Sequence, residues 1–194
     1  MPHGRTSKKN IYLTGFMASG KTTVGKRLAQ RLGWRFHDVD SAIEHRARKP
    51  IAKIFSSKGE AAFRKMEELE IQRAARKRRT VIALGGGALA SERNRHAVEE
   101  SGLLIYLCVS PAEALRRIEN DGIENRPMLR GVPPAKRKNY LAALLSKRRP
   151  LYRRASIRVA TGGSTPRQIV ERILRKLLWD GIAPPQSKSS RPRQ

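Results

Sequence analysis

Short apolar runs alternate along this chain with longer stretches whose apolar residues recur every three or four positions. Strands are predicted at 10–14, 34–38, 80–84, 103–109 and 156–160, each followed by a helical pattern or by a turn that leads to one. Strand and helix in strict alternation predict an α/β fold, a five-stranded parallel sheet with helices on both faces. After the first strand, Val24, Leu28 and Leu32 fall at i, i+4 and i+8, and Gly33 is placed to end that helix in a left-handed conformation. Ser110-Pro111-Ala112-Glu113 and Thr165-Pro166-Arg167-Gln168 each set a capping hydroxyl three residues before an acid or amide, with proline at the first helical position.

Two segments break the alternation. Residues 41–79 form a long helical excursion, interrupted around Lys49-Pro50 and at Gly59. Residues 120–137, rich in glycine, proline and arginine, are expected to form a functional lid, because a loop of that length inside a compact domain seldom serves as mere connection. Flanking segments read differently. Residues 1–9 are basic and polar, and 179–194 hold too little apolar content to fold and are expected to be disordered, so one domain spans 10–178.

Composition narrows the function. At 194 residues the chain suits one α/β domain; it contains no apolar stretch near the roughly 18 residues of a membrane span and no hydrophobic signal region, which predicts a cytoplasmic protein with no membrane partner. A single cysteine, Cys108, lies in an apolar run, which excludes a disulfide framework and predicts a small core residue. The formal net charge is +26, from 42 basic against 16 acidic residues. That charge raises the possibility of a nucleic-acid partner. However, it is spread over many helices, and aromatic residues make up only 5%, leaving few stacking platforms. Nucleic acid is therefore expected to bind only nonspecifically, while the field attracts ATP and small anions.

The candidate chemistry begins where the first strand ends. Gly15-Phe16-Met17-Ala18-Ser19-Gly20-Lys21-Thr22 is a Gly-x-x-x-x-Gly-Lys-Thr phosphate loop between a strand and a helix. Such a turn aims backbone N–H groups and a helix N-terminus at a single point, where a triphosphate can sit. Gly15, Ala18, Ser19, Gly20, Lys21, Thr22 and Thr23 are thus candidate ATP contacts, with Lys21 reaching the outer phosphates and Thr22 holding Mg2+.

Further along, Asp38 and Asp40 stand two apart at the end of the second strand, a spacing that on a strand sends both carboxylates to one side of the sheet's carboxyl edge. One acid can support magnesium while the other takes the acceptor's hydroxyl proton; the alternative is that an aspartate caps the helix beginning near Ser41. Arg64 on the excursion is either a surface charge or an anion contact. Gly85-Gly86-Gly87 is either a backbone wall that lets a ligand approach closely or an ordinary turn. Arg126, in the lid, and Arg148 are further candidate anion clamps.

Together these residues resemble shikimate kinase, a P-loop family with a nucleoside-monophosphate-kinase-like fold, from about Asn10 to Leu178. The resemblance rests on the phosphate loop, Asp38-Val39-Asp40, Phe63-Arg64, Gly85-Gly86-Gly87, Arg126-Pro127 and Lys147-Arg148-Arg149-Pro150-Leu151-Tyr152. It implies transfer of the γ-phosphoryl group of ATP to the 3-hydroxyl of shikimate, on the route to chorismate and the aromatic amino acids, by a monomer whose excursion and lid close over the substrates. Residue by residue it implies Asp40 as proton acceptor and substrate contact, with Lys21 and Arg126 on the transferring group. Arg64, Arg148 and Gly85 to Gly87 would then hold shikimate beside an apolar wall of Phe55 and Phe63, Thr22 and Asp38 would hold Mg2+, and Arg117 and the segment near Pro166 would flank the adenine.

Two departures from that family stand out. Ala18 replaces the usual glycine, which is tolerable if its dihedrals are not left-handed. The segment between Arg117 and Arg126 is a residue or two longer than in compact members. Two other functions compete: a related kinase with another acceptor such as gluconate, and a basic nucleic-acid-binding protein with a vestigial kinase site.

Overall fold

All five apolar runs form strands in the computed structural model, which describes residues 10–123, 127–129 and 131–179. They are β1 (Asn10–Thr14), β2 (Arg35–Asp38), β3 (Thr80–Ala83), β4 (Gly102–Cys108) and β5 (Ile157–Ala160), each within two residues of its predicted bounds. The sheet is parallel throughout, in the order β2-β3-β1-β4-β5. β1 is central: Asn10 is in register with Thr80 on one side and with Gly102 on the other. Flanked on both edges and covered on both faces, its five residues are all buried, which is why it reads as an unbroken apolar run rather than an alternation.

Helices cover both faces. Ile11, Leu13, Ile105, Leu107, Ile157 and Val159 pack with α1 (Lys21–Leu32) and α7 (Pro166–Trp179) on one side. Tyr12, Ile82, Leu104 and Tyr106 face the opposite side, toward α3 (Ile51–Ala75), α4 (Glu92–Ser101), α5 (Pro111–Asp121) and α6 (Pro134–Tyr152). Val24, Leu28 and Leu32 are buried as their spacing predicts, each contributing roughly 1.5–3 kcal/mol of burial. Gly33 closes α1 at φ 64°. The two predicted capping motifs form: Ser110 Oγ accepts from Glu113 N at 3.2 Å, while Thr165 and Gln168 exchange bonds of 2.9 and 3.3 Å. Cys108 is half-buried at the end of β4, against the core rather than inside it.

The excursion consists of α2 (Val39–Ala47) and α3, which bends at Gly59, where φ is 75° and ψ is 173°. One expectation needs correction. Asp38 and Asp40 do not share a strand face: β2 stops at Asp38, and Asp40 lies in the first turn of α2. The helix wins because Asp38 caps it, its Oδ1 accepting from Ser41 N at 3.3 Å. The segment expected as a lid is shorter than 120–137, since α5 runs to Asp121 and α6 starts at Pro134, with a short 3-10 turn at Pro127–Leu129 between them. Arg126, the basic residues 1–9 and the tail beyond Trp179 lie outside the described residues.

Candidate active site

A cleft of about 1520 Å³ runs along the carboxyl edge of the sheet, the place where open α/β sheets bind ligands. Its floor is the phosphate loop, with Ala18, Ser19, Gly20, Lys21, Thr22 and Thr23 on the surface. Gly15 lies beneath. A Cβ on Gly15 would stand 2.6 Å from Leu107 O, so only glycine fits against β4 there. Gly20 caps α1 with φ 90°, which glycine alone adopts without strain. Lys21 Nζ reaches back to the carbonyls of Gly15 (3.0 Å) and Phe16 (3.1 Å), a posture that leaves it arched over the loop.

Ala18 is the exception in this loop, with φ 55°. Its dihedral is therefore left-handed, the one circumstance in which the methyl carries a penalty, of roughly 1–2 kcal/mol. Its carbonyl accepts from Arg117 Nη1 at 3.0 Å. Arg117 also donates to Thr161 O at 2.6 Å and to Glu113 Oε1 at 2.8 Å. Both it and Pro166 line the cleft.

At the rim of β2, Thr22 Oγ1 donates to Asp38 Oδ2 at 2.7 Å. The hydroxyl and the carboxylate form a hard oxygen pair of the kind magnesium takes from protein while keeping phosphate and water as its other ligands. Among the described residues no group of three or more His, Cys, Asp or Glu could hold a metal ion by itself. A site completed by a nucleotide fits this donor set. The carboxyl of Asp40 is pushed up to about 6 by burial first and by the charges of Asp38, Glu67 and Glu44, with Lys21 pulling the other way. A carboxylate with that value is largely ionised near neutrality yet basic enough to accept a proton.

The three glycines after β3 form the wall, and each is crowded by a different functional side chain. A Cβ on Gly85 would stand 2.8 Å from Asp40 Oδ1, one on Gly86 3.0 Å from Arg148 Nη1, and one on Gly87 2.9 Å from Arg64 Nη1. Bare backbone is what lets an acid and two guanidinium groups converge here. The wall is also braced, since Tyr152, whose phenol burial pushes up to about 12, donates its hydroxyl proton to Gly86 O at 2.6 Å. Phe55 and Phe63 stack obliquely at 4.7 Å, and Arg64 lies over the Phe63 ring at 5.3 Å.

Sequence reasoning missed Glu67. It is 1% exposed, and its Oε2 accepts from Arg64 Nη1 at 2.8 Å. Its Oε1 has no hydrogen-bond partner among the described residues and lies 2.6 Å from where a Gly85 Cβ would be. Burial raises its carboxyl above the usual range, against the lowering pull of Arg64. The i+3 spacing from Arg64 was the available signal, since that spacing sets the two on one helix face. Thr161, which takes the other end of the Arg117 bridge, gave no signal in the sequence.

Every described candidate except Gly15 therefore lines one cleft. A family model described as shikimate kinase matches residues 17–178. The shikimate kinase of Persephonella marina is 40% identical over 169 residues, covering 87% of this chain and 99% of the relative. That of Rhodococcus jostii is 42% identical over 166 residues, covering 85% of this chain and 95% of the relative. The structure of shikimate kinase from Acinetobacter baumannii in complex with shikimate superposes with a TM-score of 0.84 at 34% identity, over 91% of this chain and 97% of that one.

Proposed function

The chain belongs to the shikimate kinase family and phosphorylates shikimate with ATP, and from that premise we propose how its own residues carry the transfer. The observation that supports the assignment of roles is the convergence of Asp40, Arg64 and Arg148 on the Gly85 to Gly87 wall, beside the phosphate loop, whose Gly15 O is 3.8 Å from where a Gly86 Cβ would be.

Arg64 and Arg148 pair with the carboxylate of shikimate, for which a planar guanidinium suits two-point recognition. The glycine wall admits the ring, and Phe55 with Phe63 covers its apolar side. Asp40 orients the 3-hydroxyl and takes its proton as the hydroxyl oxygen bonds to the γ-phosphorus; the bond from that phosphorus to the β–γ bridging oxygen breaks, and ADP leaves with the electron pair. Lys21 and, from its place in the sequence, Arg126 neutralise charge on the transferring group, where most of the catalysis of phosphoryl transfer lies. Thr22 and Asp38 would hold Mg2+, which when bound supplies further charge neutralisation at the phosphates. Water must be excluded, since it would otherwise accept the phosphoryl group, and closure of the excursion and the segment around Pro127–Leu129 provides that exclusion. The working unit is a cytoplasmic monomer.

ATP-dependent phosphorylation measured with shikimate, with gluconate and with no acceptor tests this reading. Turnover specific to shikimate is expected. Faster turnover of gluconate would sink the assignment of the acceptor pocket.

A further inference from the structure

Alanine disfavours the left-handed conformation by on the order of tenfold, yet Ala18 holds it at the turn of the phosphate loop. Something must hold that turn. The Ala18 carbonyl and the Ser19 amide are the two ends of one rigid peptide plane. Ser19 N donates to Phe16 O at 3.2 Å, and Arg117 Nη1 donates to Ala18 O at 3.0 Å, so the plane is gripped from both ends. The first grip is local and belongs to the loop itself. The second comes from 99 residues away.

Arg117 is well placed to hold firm. It sits on α5, its Nε is fixed to Glu113 Oε1 one turn earlier at 2.8 Å, and its Nη2 reaches Thr161 O at 2.6 Å, beyond β5. Thr161 is in turn tied to the end of β4, its N and Oγ1 both donating to Cys108 O, at 2.8 and 3.0 Å. The fork thus spans two carbonyls, one in the phosphate loop and one anchored to the sheet. Lysine carries the same charge but has no fork to bridge both carbonyls in fixed geometry.

We propose that Arg117 is a positioning residue of the phosphate loop, a strap that keeps Ala18 in its left-handed turn so that the loop is formed before nucleotide arrives. The proposal rests on the phosphate loop being the nucleotide site and assigns Arg117 a task that does not depend on the adenine.

The test is a double-mutant cycle of Arg117→Lys and Ala18→Gly, read by calorimetric binding of magnesium tripolyphosphate, which has no base, beside magnesium ATP, and by KM and kcat. In the wild-type background Arg117→Lys is expected to weaken tripolyphosphate binding by about five- to tenfold and to raise the KM for ATP similarly, with kcat within about twofold. With Ala18→Gly present, the same replacement is expected to cost no more than about twofold, because glycine needs no strap. Should Arg117→Lys unfold, Glu113→Ala, which frees the guanidinium from α5, takes its place in the cycle. Loss of ATP affinity with tripolyphosphate affinity intact overturns the proposal in favour of a contact with the base. An equal loss with and without Ala18→Gly overturns it as well. Wild-type protein that binds neither probe overturns the nucleotide site, and the strap falls with it.

Discussion

The carboxyl groups of Asp40 and Glu67 meet over Gly85: a methyl placed there would be 2.8 Å from Oδ1 of the first and 2.6 Å from Oε1 of the second. Two acids so close repel, and the charge of Glu67 adds to the cost of ionising Asp40. Their difference is in what answers them. Glu67 accepts a hydrogen bond from the guanidinium of Arg64 at 2.8 Å, whereas Asp40 has the charge of Lys21, which lowers its carboxyl less than burial raises it. The arrangement makes Asp40 the better proton acceptor and Glu67 the holder of Arg64.

Turnover is expected to follow the ionisation of Asp40. With its carboxyl at about 6, kcat/KM for shikimate should fall about tenfold per unit below pH 6 and level off above pH 7. Asp40→Asn should abolish most turnover and leave ATP binding nearly unchanged. A pH–rate profile flat down to pH 5, or full activity in the variant, would remove Asp40 from its role.

Stability should move the opposite way. A carboxyl whose folded-state value is raised from 3.8 to about 6 binds its proton more tightly when folded, so it destabilises the protein above pH 6 and ceases to do so as pH falls toward 4. Asp40→Asn should therefore raise stability at pH 8 by on the order of 2–3 kcal/mol and by much less at pH 4. Urea titrations at the two pH values check this; equal effects at both would show that the charge is not the cause.

Glu67→Gln removes the charge that holds Arg64 while keeping the shape. The KM for shikimate is expected to rise about tenfold, with the KM for ATP within twofold, since Lys21 and the loop are untouched. A rise in both constants would mean that Glu67 supports the fold rather than the acceptor pocket.

Gly87→Ala tests the wall. Its methyl would meet the Arg64 guanidinium at 2.9–3.2 Å, the far end of a flexible side chain, so the arginine can move and the fold should lose less than about 1 kcal/mol. Shikimate binding should nevertheless weaken at least tenfold, measured by calorimetry with shikimate alone. Unchanged affinity would indicate that Arg64 does not contact the acceptor.

The five strands, the phosphate loop and its helix, and both capping motifs were legible in the sequence, because each depends on periodicity or on residues a few positions apart. The sites on the phosphate loop, at Asp38 and at the glycine wall could be named for the same reason. The relation between Asp38 and Asp40 could not, since whether Val39 continues a strand or begins a helix turned on the bond from Ser41 N to Asp38, and both readings suit the same residues. Composition left Arg64 as either a surface charge or an anion contact in a chain with 42 basic residues, and only the family resemblance set it on the substrate; α3 brings it beside Glu67 and Gly87. The burial that pushes up Asp40 likewise comes from the packing of α2, α3 and the wall together. The handedness of Ala18 was an open question in the sequence, because a dihedral is set by the whole loop and by Arg117, 99 residues away, rather than by the residue that adopts it.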